Sequence, residues 1–141
     1  MTYRFENLDV WKLARQFVNL IYLITKKFPK DELFGLTSQM RRAALSILLN
    51  ITEGSDRKSD VEFIRFLRIA YTSMEEVIAA SYISLDQGYI NQAELENIYQ
   101  KTTKITHYSA LQKLADYPQD VRKFLSRLSK TMMDKLAYRV L

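Results

Sequence analysis

Apolar residues recur along this chain at alternating steps of three and four, the period of helices that bury one side. Few breaks interrupt the pattern. Phe28-Pro29-Lys30 closes the first helical stretch, because proline disfavours helical geometry in the residue before it. Gly35 precedes the second stretch and Gly54 closes it. Ser59 and Glu62 have the spacing of a capping box opening the third, and Gly88 ends it where a left-handed residue is needed. Asn91 and Glu94 cap the fourth, and Tyr117-Pro118 marks a further break. Helices are therefore predicted at about 7–28, 36–53, 60–87 and 91–115, with a fifth near 119–139. Connections this short make successive helices antiparallel. The expected fold is all-α: an up-and-down four-helix bundle over 1–116, extended by a basic amphipathic C-terminal helix over 117–141, together one domain.

The first stretch carries two apolar lines. Trp11, Ala14, Val18, Ile21, Thr25 and Phe28 form one; Val10, Leu13, Phe17, Leu20 and Ile24 form the other. The remaining stripe is polar, with Asp9, Lys12, Arg15, Gln16, Asn19 and Lys26. A helix apolar on two faces must bury both, or leave a patch larger than monomers tolerate. The expectation is that Val10, Leu13, Phe17, Leu20 and Ile24 form an oligomer interface. The alternative is that the fifth helix of the same chain covers them. The third stretch mixes Phe63, Phe66, Met74 and Val77 with Ala70, Ser73, Ala80, Ser81 and Ser84, small residues that let a neighbouring backbone approach closely. In the tail, Val121, Leu125, Leu128, Met132 and Leu136 follow a helical stripe opposite Lys123, Arg127 and Lys130, which suggests docking by the apolar face.

Composition narrows the chemistry. The 141 residues include no cysteine, which removes disulfides, thiolate nucleophiles and Cys-ligated metal. No apolar run reaches a membrane span, and the N-terminus lacks the apolar core of a secretory signal, so a cytoplasmic protein with no membrane contact is expected. The lone histidine, His107, has Lys104 where a di-iron bundle places Glu. It has no second His or Cys for zinc, and no Arg at Gln100, Lys101 or Thr102, where ribonucleases of the HEPN type carry one. Glu75 and Glu76 point about 100° apart on a helix and cannot act as a facing acid pair. No enzyme, metal or cofactor is indicated.

The net charge of +5 is unevenly placed: residues 1–30 and 117–141 each carry six bases against two acids, and the middle is net acidic. Basic ends suit a polyanionic partner, and equally suit a surface charged for solubility.

Several phrases occur together and in order: Phe5-x-x-Leu8-x-Val10-Trp11, Phe28-Pro29, Glu32-x-Phe34-Gly35-Leu36, Gln39-Met40-Arg41-Arg42-Ala43-Ala44-x-Ser46-Ile47 and Asn50-Ile51-x-Glu53-Gly54. Phe66-Leu67-x-Ile69-Ala70-x-x-Ser73-x-x-Glu76 and Gly88-Tyr89-Ile90 complete the series. Over residues 5–115 the chain resembles the bacterial four-helix-bundle family named for intervening sequences of 23S ribosomal RNA genes, with kinship to the accessory variability determinant of diversity-generating retroelements. It departs from the pattern at Thr72, where glycine is usual, and in the basic extension beyond Pro118.

The resemblance implies a homopentameric ring without enzymatic activity and, from the retroelement relative, a basic surface for nucleic acid and a reverse transcriptase as partner. Two functions follow as expectations. One is a non-catalytic accessory protein that binds RNA or DNA by phosphate contacts through Lys12, Arg15, Lys26, Lys27, Arg41 and Arg42. The other is a protein-only scaffold that recruits a partner. Arg41 and Arg42 have a competing role, since Glu53 near a helix C-terminus is expected to pair with a base, with Arg41, Arg42 and Arg57 as candidates. Asn50 is read as hydrogen-bonding backbone within its helix.

Overall fold

Local side-chain chemistry sets the helix ends in the computed structural model, which describes residues 2–111 together with 123 and 127. Four helices follow in order: α1 (Asp9–Thr25), α2 (Leu36–Ser55), α3 (Asp60–Asp86) and α4 (Gln92–Leu111). Ser59 Oγ accepts the Glu62 N–H at 3.3 Å and opens α3. Asn91 Oδ1 accepts the Glu94 N–H at 2.9 Å, while Glu94 Oε2 accepts the Asn91 N–H at 2.9 Å, a reciprocal box that opens α4. Gly88 follows α3 with φ +73°, so the left-handed turn predicted there is present.

The first helix is shorter than its periodicity suggests. Leu8 is extended, a 3-10 turn over Arg4–Asn7 precedes it, and the chain turns after Thr25 towards Pro29. The expected fifth helix lies outside the described residues. Within it, only Lys123 and Arg127 are described, both helical and exposed.

Successive helices run antiparallel, each packed on two neighbours in the order α1–α2–α3–α4 and back to α1. Named pairs fix the register. Trp11 Nε1 donates to Thr52 Oγ1 at 2.9 Å near one end of α1–α2, and Arg41 Nε donates to Thr25 Oγ1 at 2.9 Å near the other. Ser73 Oγ lies 2.8 Å from Ser46 Oγ between α3 and α2. The Tyr82 and Tyr99 hydroxyls meet at 2.9 Å between α3 and α4.

This ring of neighbours accounts for both apolar lines of α1. The Trp11–Thr25 line faces α2, as the contacts to Thr52 and Arg41 show. The other line turns toward α4, to which Lys27 is tied through Glu94. Val10, Phe17 and Ile24 are buried in the protomer's own core, and Leu13 and Leu20 are half-buried against it. Three of the five residues expected at an oligomer interface, Val10, Phe17 and Ile24, are thus covered within the protomer, while Leu13 and Leu20 keep part of their surface outside it. No second chain reaches Phe17 while the fold is intact.

The core centres on Phe17, Ile21, Met40, Ile47, Ile51, Val77, Leu95, Ile98 and Ile105. The buried hydroxyls of Ser81, Ser84, Thr102 and Thr106 bond to carbonyls three or four residues back on their own helices, so they need no partner across the core. Asn50 likewise donates to the Ser46 carbonyl at 2.7 Å, the backbone role expected of it.

Gly54 does not end α2, which continues to Ser55. A Cβ there would lie 2.6 Å from Phe63 Cδ2 and 2.8 Å from Phe66 Cβ, so the glycine lets α3 close onto α2. Gly54→Ala will therefore overpack the helix contact and cost about 1–3 kcal/mol in denaturant unfolding, despite alanine's better helix propensity. An unchanged or raised stability would show that α3 can shift without loss.

Candidate nucleic-acid interface

Helical spacing gathers the exposed bases of two adjacent helices on one side of the bundle. On α1, Lys12, Gln16, Asn19, Leu23 and Lys26 follow steps of four and three, with Arg15 and Lys27 beside them, and all seven are exposed. On α4, Glu94, Asn97, Lys101 and Lys104 follow steps of three and four. Lys27 Nζ lies 2.5 and 2.6 Å from the two Glu94 carboxylate oxygens, which sets the stripes side by side. The two stripes and their flanks carry six bases, Lys12, Arg15, Lys26, Lys27, Lys101 and Lys104, and two acids, Asp9 and Glu94. Gln16, Asn19 and Asn97 add neutral hydrogen-bonding groups between them. The rise per residue separates Lys12 from Thr25, at the end of α1, by about 20 Å along the helix.

The bases differ in how freely they can meet a ligand. Lys12 lies 3.6 Å from Asp9 with both side chains about half exposed, an ion pair of little strength in water. Arg15 is exposed and sits 5.9 Å from the Trp11 ring centroid. Lys26 is exposed and has no polar partner among the described residues. Lys27 is held by Glu94. Lys101 and Lys104 escaped sequence reasoning, although Lys101 stands seven residues after the capping Glu94 and so on the same line of α4.

Arg41 and Arg42 part company. Arg41 bonds Thr25 and lies 4.7 Å from the Tyr22 ring centroid, so it clamps α2 to α1. A phosphate bound at Arg41 would have to displace both contacts. Arg42, about 100° round α2, is exposed in a groove of about 360 Å³ between α2 and α3. Glu76, Ile69, Ser46 and Ser73 also line this groove. Glu53 pairs with Arg57, which meets the expectation that it would find a base. Arg57 also lies 5.0 Å from the Phe66 ring centroid.

Electrostatics at the Lys27–Glu94 pair have a sign that can be tested. Partial burial pulls the Glu94 carboxyl upward, but bonds from Lys27 and the Asn91 N–H outweigh it and hold the group below its ordinary value. A carboxylate depressed in the folded state adds stability above its unfolded value and loses it as pH falls through the folded one. Thermal melts will therefore decline on acidification through and below the usual carboxylate range, and Glu94→Gln will flatten that decline. An identical acid profile in the variant would remove Glu94 from the account.

Among the described residues no three His, Cys, Asp or Glu side chains gather as a metal cage, and no helix is long and apolar enough to cross a membrane. His107 is exposed on α4.

Known proteins share this sequence in part. The family described as "23S rRNA-intervening sequence protein" matches residues 6–109, which span the family-like phrases except Phe5 and most of the described bundle. A curated relative, the CDP-diacylglycerol--serine O-phosphatidyltransferase PssA of Escherichia coli (strain K12), is 46% identical over 68 residues. That segment is 48% of this chain and 15% of the relative.

Proposed function

Since the chain belongs to the 23S rRNA-intervening sequence protein family, we propose that it is a non-catalytic, cytoplasmic homo-oligomer that binds structured nucleic acid through phosphate contacts. The observation that supports this reading is the α1–α4 face, where Lys12, Arg15, Lys26, Lys27, Lys101 and Lys104 accompany only two acids. Lysine, arginine and carboxamide side chains donate hydrogen bonds to phosphate oxygens, contacts that carry no sequence information. Repeating the face by symmetry lets individually weak contacts add up. The matched stretch of the phosphatidyltransferase is too small a part of that enzyme to bring its reaction to this chain.

Oligomer and ligand are tested together by purifying the protein without nuclease and measuring light scattering and absorbance. The five-copy ring implied by family resemblance would have a mass of about 83 kDa, from a chain of 16.6 kDa. Nucleic acid retained at low salt and released at high salt is expected. An oligomer that carries none and retards no structured RNA would favour the scaffold reading, in which the bases serve solubility and the partner is a protein such as a reverse transcriptase. A monodisperse monomer would contradict both.

A further inference from the structure

The groove between α2 and α3 lies on the side of the bundle opposite the α1–α4 face, and its floor is set by the register of the two helices. Ser73 Oγ lies 2.8 Å from Ser46 Oγ, which also accepts Asn50 Nδ2 at 3.1 Å, so the hydroxyls there are held in place. Because the helices run antiparallel, four residues back along α2 and three residues on along α3 lead to the same level. Those positions are Arg42 and Glu76. Helix rise places them about 6 Å and about 4.5 Å from the serine pair, in the same direction. A cation and an anion thus stand on opposite walls of one groove.

They do not meet. Both side chains are exposed, and neither has an ionic partner among the described residues, whereas Lys27 and Glu94 close across α1 and α4. The groove's volume of about 360 Å³ is at the lower end of small-molecule sites. Gln39 and Thr72 add an amide and a hydroxyl, and Ile69 with Ala43 gives a short apolar wall. All of these residues fall within the family-like phrases at 39–47 and 66–76, which the α1–α4 face leaves unused.

This lining selects for charge. Glu76 repels a phosphate or any plain anion, Arg42 repels a plain cation, and the polar walls offer an apolar molecule little burial. A small molecule that carries both signs satisfies both walls. Its carboxylate takes the planar fork of the guanidinium, and its ammonium donates to the Glu76 carboxylate. We propose that the α2–α3 groove binds a free amino acid, carboxylate on Arg42, ammonium on Glu76 and side chain toward Ile69. The site is built within one protomer and stands apart from the nucleic-acid and oligomer readings.

Isothermal titration calorimetry of the intact protein with each common L-amino acid in turn tests this. At least one is expected to bind with a Kd of about 1 mM or lower. Its methyl ester and its N-acetyl derivative each lack one charge, and each will bind about 10-fold more weakly or worse. Arg42→Met and Glu76→Gln will each cause a similar loss while the melting temperature of the free protein stays unchanged, because both side chains are exposed. Lys101→Glu, on the opposite side, will bind as the wild type does. No heat and no rise in melting temperature with any amino acid at about 10 mM overturns the proposal. Binding that survives in both Arg42→Met and Glu76→Gln overturns it equally.

Discussion

Exchanging Lys12, Arg15, Lys101 and Lys104 for glutamate will abolish binding of structured RNA at low salt while leaving helical content and oligomer mass unchanged. Each reversal replaces a potential phosphate contact with a repulsion, and the four side chains lie on neighbouring stripes of α1 and α4. Lys12, Arg15 and Lys104 are exposed and Lys101 half-exposed, so the substitutions remove little packing. Arg41→Ala is the informative contrast. Arg41 bonds Thr25 and covers Tyr22, so its removal will lower thermal stability and change RNA affinity far less. Gel retardation beside circular dichroism separates these outcomes. If the four-fold reversal binds RNA as the wild type does, the α1–α4 face is not the interface.

The largest stability effect is expected at Phe17. Its side chain is fully buried in the bundle core, so Phe17→Ala leaves a cavity and loses about 3–5 kcal/mol, a large share of the stability of an ordinary domain. Leu23→Asp, six residues on but 65% exposed, will leave the protomer folded. Denaturant melts at several protein concentrations distinguish a core role from an interface role. A core residue shifts the midpoint by the same amount at every concentration, whereas an interface residue changes how the midpoint depends on concentration. A Phe17→Ala protomer of wild-type stability would return the Val10–Ile24 line to the subunit interface.

Much of the fold is legible in the sequence because its signals are local. Ser59 with Glu62, Asn91 with Glu94 and Gly88 each act within a few residues: Asn91 and Glu94 form the reciprocal box, Gly88 takes the left-handed turn, and Ser59 caps the Glu62 N–H. Gly54 reads in sequence as a stop because helix termination and close packing select the same residue, and only the position of Phe63 and Phe66 tells them apart. The two lines of α1 are plain in the sequence, but periodicity carries no information on whether α4 or a second chain covers a face. The candidate site is legible only in part. Lys12, Arg15 and Lys26 stand where helical spacing puts them, on the exposed side of α1. Arg41 and Arg42 are adjacent in sequence yet meet different helices. Lys101 and Lys104 gain meaning only once the Lys27–Glu94 pair sets α4 beside α1. Phe34 enters the sequence reading only within a family-like phrase, and its exposure is visible only in the structure.

The central claim is that this oligomer holds nucleic acid by phosphate contacts, and the salt dependence of binding tests it most directly. Fluorescence anisotropy of a labelled structured RNA, titrated with the intact protein at a series of salt concentrations, gives the slope of log affinity against log salt. The account predicts micromolar binding at about 50 mM salt that weakens steeply by about 200 mM, with similar affinity for unrelated sequences and a shallower slope in Lys12→Glu. No detectable binding at about 50 mM salt, or an affinity indifferent to salt, would contradict it.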